Sequence, residues 1–232
     1  MRGKAVLITG AAGALGRGVV RAMLEAGHAV SSVDRVRADP GPIAAEIDGA
    51  AERLQTLEGD ALSPESMENA VRRAEDEFGR IDALLHLAGT YAYAPLSDMD
   101  VDLWHRLLDA NVTSAYVAAR ACLPALRGSH GSMVFVGAQA ATAAPANQSG
   151  YNAGKAALMT FARSLSQELR PDGIRVNCIV PDIIDTPANR KSMPDSDTSR
   201  WLTVDQVADV LLYLLSEQAS GVTGAAIALQ RS

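Results

Sequence analysis

Short apolar runs and amphipathic stretches alternate along this chain from one end to the other. No other feature of the sequence restricts the fold as much. Ala5–Thr9 (AVLIT), Ala29–Asp34, Leu54–Glu58, Ile81–Leu87 (IDALLHL), Ser132–Gly137 (SMVFVG), Ile174–Val180 and Ala225–Leu229 read as strands. Ala14–Ala26, Pro64–Phe78, Asp102–Leu126, Ser149–Leu169 and Thr203–Ser216 read as the helices between them. The ends carry stop and start signals. Gly27 and Gly79 close helices, Ser63 and Thr203 cap them, and Glu65 and Asp205 sit near the positive end of a helix dipole. The stretch 37–49 is broken by Pro and Gly and holds at most a weak helix, and 181–199 reads as a loop because prolines interrupt it. Strands joined through helices run parallel with right-handed crossovers. The expected fold is α/β: a doubly wound parallel sheet of about seven strands with helices on both faces.

Composition narrows the function classes. A length of 232 residues with no linker or repeat reads as one domain spanning 1–232. Hydrophobic residues at 48% are enough for a buried core, and aromatics at 4% leave that core to Ala, Val, Leu and Ile. A net charge of −6 argues against a nucleic-acid partner and against a polybasic membrane surface. No apolar run reaches the ~20 residues of a membrane helix. Arg2 and Lys4 precede an uncharged run, Ala5–Gly16, but glycines and a threonine interrupt it, so it does not read as a signal peptide. Cys122 and Cys178 read as buried small hydrophobes of a reducing, cytoplasmic compartment. His28, His86, His105 and His130 are scattered, so no metal site is expected.

Thr9-Gly10-Ala11-Ala12-Gly13-Ala14-Leu15-Gly16 lies between the first strand and the first helix. Glycine there allows a sharp turn and lets a pyrophosphate approach the free N–H groups of the helix N-terminus. Placed in the first βαβ unit, the run reads as the dinucleotide-binding loop of a Rossmann-type sheet. Asp34 ends the second strand. Its carboxylate suits the hydroxyls of an adenosine ribose and repels a 2′-phosphate, which favours NAD; Arg35 beside it keeps NADP as the alternative.

Tyr151 and Lys155 lie one helical turn apart and share a face. An ammonium beside a phenol stabilises the phenolate and brings its pKa toward the working range of an acid/base. With the loop upstream, the chain resembles the short-chain dehydrogenases/reductases over essentially its whole length. The carriers are Thr9–Gly16, Asp60, Ala88-Gly89, Asn111, Tyr151-x-x-x-Lys155 and Pro181…Thr186. The resemblance implies that Tyr151 is the general acid/base, that Lys155 holds the nicotinamide ribose and tunes Tyr151, and that Asn111 positions a water in the proton relay. It implies a cofactor site from Gly10, Gly13, Ala14, Leu15 and Gly16 through Asp34, Arg35, Asp60 and Ala61. Ala88, Gly89, Pro181, Ile183 and Thr186 would complete it, with Thr186 at the carboxamide. It also implies a dimer or tetramer through helices 102–126 and 149–169, and a substrate lid at 182–203.

Several positions depart from that pattern. Ala14 takes a glycine position, His86 and Leu87 replace two asparagines, and Asp182 replaces a glycine. Ala138 stands where a serine normally donates a hydrogen bond to the substrate carbonyl, and an alanine has no such donor. Either the substrate needs no donor there, or another group supplies one, with Gln139, Asn147 and Ser149 nearby in sequence. Gly137–Ala141 and Asp185–Pro194, continued to Trp201, resemble dihydropteridine reductases, which also lack the serine and reduce a quinonoid ring imine. Tyr91 and Tyr93 follow the Ala88-Gly89 turn as substrate-pocket residues or as surface aromatics. The expected activity is hydride transfer between a nicotinamide and a small carbonyl, imine or quinonoid substrate. The alternative is a non-catalytic NAD(P)-binding sensor or scaffold, which the altered 86–87 and 138 positions would suit.

Overall fold

The structure, a computed structural model, describes residues 3–37 and 45–231. Most of the weak helix anticipated within 37–49, and Arg2 of the signal-like start, lie outside the described residues. Seven parallel strands form one sheet in the order β3-β2-β1-β4-β5-β6-β7. They are β1 (Ala5–Thr9), β2 (Ala29–Asp34), β3 (Leu54–Glu58), β4 (Ala83–His86), β5 (Ser132–Val136), β6 (Arg175–Pro181) and β7 (Ala226–Leu229). Every residue of β1, β4 and β5 is buried, which is what continuous apolar runs covered on both faces produce.

Side-chain alternation divides the core in two. Leu7, Leu84, Phe135 and Val176 face one layer, with Met67, Ala118, Cys122 and Leu158 from the helices packed on them. Val6, Ile8, Leu85 and Val134 face the other, beneath Val20, Met23, Leu211 and Leu214. The first layer is built from α2 (Pro64–Phe78), α4 (Ser114–Ser129) and α6 (Ser149–Glu168), and the second from α1 (Ala14–Glu25) and α8 (Val204–Leu215). Ser63 caps α2 by accepting from the Ser66 N–H, and Thr203 and Gln206 form a reciprocal capping box on α8. Among the described residues no helix is long and apolar enough to cross a membrane.

The helix expected over 102–126 is interrupted. It begins as α3 (Val101–Leu108), widens into a π turn at Asp109–Thr113, and resumes as α4. Side chains supply the physical reason. Asn111 donates to Leu107 O at 2.9 Å and Ser114 to Ala110 O at 2.8 Å, so each satisfies a carbonyl one turn back. The segment read as a loop, 181–199, contains a short helix, α7 (Pro187–Ser192), after another, α5 (Ala140–Ala143), that the sequence did not announce. Proline marks a start at α7, because Pro187 sits in the first turn behind the Thr186 cap. A parallel bridge between Ile184 and Leu202 ties the segment to the body, and Trp201 is buried beside it.

Candidate active site

β1 ends at Thr9 and the chain turns through Gly10, whose φ is +73°. A side chain there would meet Ala88 N at 2.6 Å, so only glycine lets the loop lie against the turn after β4. At Gly16 an added carbon would lie 2.2 Å from Gly10 O, which fixes how closely α1 packs on the loop. Gly13 is different: its only near neighbour is Gly10 O at 3.4 Å, so the loop's outer side stays bare. Ala14, Leu15 and Gly16 occupy the first turn of α1, where backbone N–H groups have no partner within the helix, and no acidic side chain competes for them. Free N–H groups on an open face fit a diphosphate.

From this loop a cleft of about 780 Å³ runs across the carboxyl ends of the strands. Gly10, Gly13, Ala14, Leu15, Gly16, Asp34, Arg35, Asp60, Ala61, Ala88, Gly89, Tyr91 and Thr186 all line it. Pro181 and Ile183 do not: Pro181 is buried, with its carbonyl taking the Gln139 N–H, and the Ile183 carbonyl takes Leu202 N–H. Asp34 folds its carboxylate back over the loop, accepting from Ala12 N–H at 2.9 Å and from Arg35 N–H at 2.7 Å. Asp60 accepts from Leu62 N–H, and the exposed apolar side chains of Val36 and Leu62 flank that end of the cleft.

Behind Gly89 stand two of the three residues singled out for chemistry. A side chain at 89 would come within 2.8 Å of Asn111 Oδ1 and 3.2 Å of Lys155 Nζ. The cleft floor is therefore bare backbone with a polar layer directly beneath it. Asn111 donates to Thr90 O at 2.8 Å and accepts from Thr90 N–H, so it braces the turn that forms the floor. Lys155 is buried and donates to Val136 O at 2.7 Å. Burial lowers its pKa to about 8. Tyr151 lies mostly out of solvent; burial first, and the neighbouring Tyr91 second, push its phenol up to about 12, away from the working range toward which the pairing with Lys155 was expected to bring it. Its ring meets Tyr91 edge to face, with centroids 5.0 Å apart.

A second layer was not foreseen in the sequence. His86 is buried between Thr9 and Ser114, with Nδ1 2.8 Å from Thr9 Oγ1 and Nε2 3.1 Å from Ser114 Oγ. Ser114 spends its proton on Ala110 O, so its oxygen accepts from Nε2–H, and Nδ1 accepts from the Thr9 hydroxyl. Burial and the charge of Lys155 lower the imidazole to about 3, so it is neutral. The replacement of asparagine by histidine thus joins the start of the glycine loop to the π turn that carries Asn111. A second unread signal is Gly150-x-x-x-Gly154 on α6. A carbon at Gly154 would lie 3.1 Å from Leu107 O and 3.2 Å from Asn111 Cβ, so the bare stripe seats the π turn.

The substrate-side residues divide. Ala138 is buried, with a methyl in place of a donor. The Gln139 amide is committed to Leu229 O at 2.9 Å, and the Asn147 amide to the Tyr93 hydroxyl at 2.6 Å. Tyr91 is half-exposed on the cleft wall. Among the described residues no group of His, Cys, Asp and Glu side chains gathers as metal ligands.

Comparison with known proteins agrees with this geometry. A family model described as short chain dehydrogenase matches residues 4–197. The trans-4-hydroxycyclohexanecarboxylate dehydrogenase of Sinomonas cyclohexanicum is 29% identical over 97% of this chain and 91% of its own. The 3-alpha-(or 20-beta)-hydroxysteroid dehydrogenase of Mycobacterium tuberculosis is 30% identical over 96% of this chain and 86% of its own. Among solved structures, the 3-ketoacyl-(acyl-carrier-protein) reductase of Brucella melitensis complexed with NADH superposes with a TM-score of 0.87. It is 27% identical and covers 98% of this chain and 97% of that one.

Proposed function

The chain belongs to the short-chain dehydrogenase family, and on that premise we propose that it is an NAD(P)-dependent oxidoreductase acting on a small carbonyl, imine or quinonoid substrate. The observation that carries this is the backing of the Gly89 floor by Lys155 and Asn111, with Tyr151 one helical turn from Lys155. A nicotinamide bound there supplies or accepts the hydride. Tyr151 gives its proton to the substrate oxygen or nitrogen in reduction and takes it back in oxidation. Lys155 stabilises the phenolate and holds the cofactor ribose, and Asn111 keeps the 89–90 turn in place while positioning a water between the relay and solvent. The unpartnered N–H groups of Ala14, Leu15 and Gly16 hold the diphosphate. Asp34 at the end of β2 would take the adenosine ribose hydroxyls and favour NAD, with Arg35 beside it in the cleft lining. Thr186, which lines the cleft, would hold the carboxamide, and the segment 182–203 would cover the substrate.

The decisive experiment compares Tyr151→Phe with the wild type. Turnover of NADH against cyclic ketones, quinones and quinonoid dihydropterin should fall about 10²–10⁴-fold, while NADH binding read by fluorescence stays the same. Equal turnover by the two proteins would refute the assignment. Quinonoid turnover without ketone turnover would support the dihydropteridine-type substrate, which the missing hydroxyl at Ala138 favours. The buried free thiols of Cys122 and Cys178 suit a cytoplasmic setting. Exposed Val101, Trp104 and Tyr116 along α3 and α4, with Tyr116 against Phe161 of α6, suit a dimer or tetramer formed through those helices.

A further inference from the structure

We propose that the Tyr91 phenol is the second hydrogen-bond donor to the reacting oxygen or nitrogen of the substrate, the contact that Ala138 cannot make. The inference rests on Tyr151 as the proton donor and adds a residue to the same site. Tyr91 meets three requirements at once. It touches Tyr151, with the rings at 80° and centroids 5.0 Å apart. It also lines the cleft, beside Gly89 and Thr90. Its hydroxyl has no hydrogen-bond partner among the described residues. The backbone that carries it is fixed, because Asn111 holds both the N–H and the C=O of Thr90.

The other donors near position 138 are already committed or face elsewhere. Gln139 donates to Leu229 O and Asn147 donates to Tyr93. Ser149 lies two residues before Tyr151 on α6, and residues at that spacing do not share a helix face. Tyr93 is not among the residues lining the cleft and stands 62% exposed. Partial burial and the nearby Tyr93 raise the Tyr91 pKa, so the group stays protonated and remains a donor at neutral pH. The Tyr91 ring also stands on the cleft wall. Planar acceptors with a ring to lay against Tyr91, such as cyclic ketones, quinones and quinonoid pterins, fit that wall best.

The test uses the full chain with NADH and three probes: cyclohexanone, 1,4-benzoquinone and quinonoid dihydropterin. On the probe turned over fastest, Tyr91→Phe should lower kcat/KM about 10- to 100-fold, mostly in kcat, with the NADH dissociation constant unchanged. Ala138→Ser placed in the Tyr91→Phe protein should restore a large part of the loss, because it returns a hydroxyl donor to the site. Full activity in Tyr91→Phe, with Tyr151→Phe inactive, would overturn the Tyr91 proposal and leave the reading of Tyr151 standing. Loss of the whole effect to Thr90→Val, the neighbouring cleft hydroxyl, would also overturn it. Activity in Tyr151→Phe, or no turnover of any probe by the wild type, would remove both together.

Discussion

The imidazole of His86 lies between a hydroxyl at the end of β1 and a hydroxyl at the start of α4, each within hydrogen-bond distance. One nitrogen accepts and the other donates, so the ring works only while it is neutral. The folded protein holds its pKa near 3, against 6.5 for the free side chain. Between those values the unfolded chain takes up a proton that the native state refuses. Stability from this group is complete above pH 6.5 and is lost as pH falls toward 3. The slope is about 1.4 kcal/mol per pH unit. Urea unfolding at pH 6.5 and pH 5 should therefore show the wild type losing about 2 kcal/mol more than His86→Asn, since an asparagine can bridge the same hydroxyls without titrating. Equal losses would mean that His86 shares a proton in the native state. The sequence marked position 86 only as a departure from a pattern. It gave no sign of the two hydroxyls, because Thr9, His86 and Ser114 meet only through the register of β1 on β4 and the crossing of α4.

At the scale of elements, the strands were legible because each is a short, largely apolar stretch bounded by turn or helix signals, and β2, β3 and α2 have the bounds their sequences suggest. The glycine loop and the Tyr151–Lys155 pair were legible for a similar reason: their spacing is local. The π turn was not, since the apolar pattern continues through Asp109–Thr113 and the widening is set by side-chain bonds to backbone. Gly150 and Gly154 carry the tertiary half of that story. Gly154→Ala should cost about 1–3 kcal/mol, because the methyl meets Leu107 O and Asn111 Cβ with no flexible atom to give way. A fall in melting temperature of roughly 2–4 °C per kcal/mol follows for a chain of this size, together with a fall in kcat as Asn111 shifts. Gly128→Ala on α4 is the control: nothing lies within 4 Å of the added carbon, so melting should hold or rise. If the two substitutions melt alike, α6 is not what seats the turn.

At the scale of the whole molecule, the strand order places β1 and β4 side by side with their crossovers leaving in opposite directions. Ligand clefts form at such a point, and the loops that line this one follow β1, β2, β3, β4 and β6. Tyr116 is 48% exposed and meets Phe161 edge to face, so α4 and α6 together present an apolar face outward. Tyr116→Arg should convert the assembly to smaller species in sedimentation velocity. A wild type that already sediments at its chain mass of 24.3 kDa would dismiss the assembly.

The π turn has one more consequence. A π turn amounts to one residue more than an α-helix needs over the same length. Removing a single residue from Asp109–Thr113 would let α3 and α4 merge into one regular helix, with its backbone ladder unbroken. The same deletion would re-aim the side chains within the turn, moving Asn111 away from Thr90 and the floor of the cleft. In this chain the better-formed helix and the working site are alternatives, and one extra amino acid decides between them.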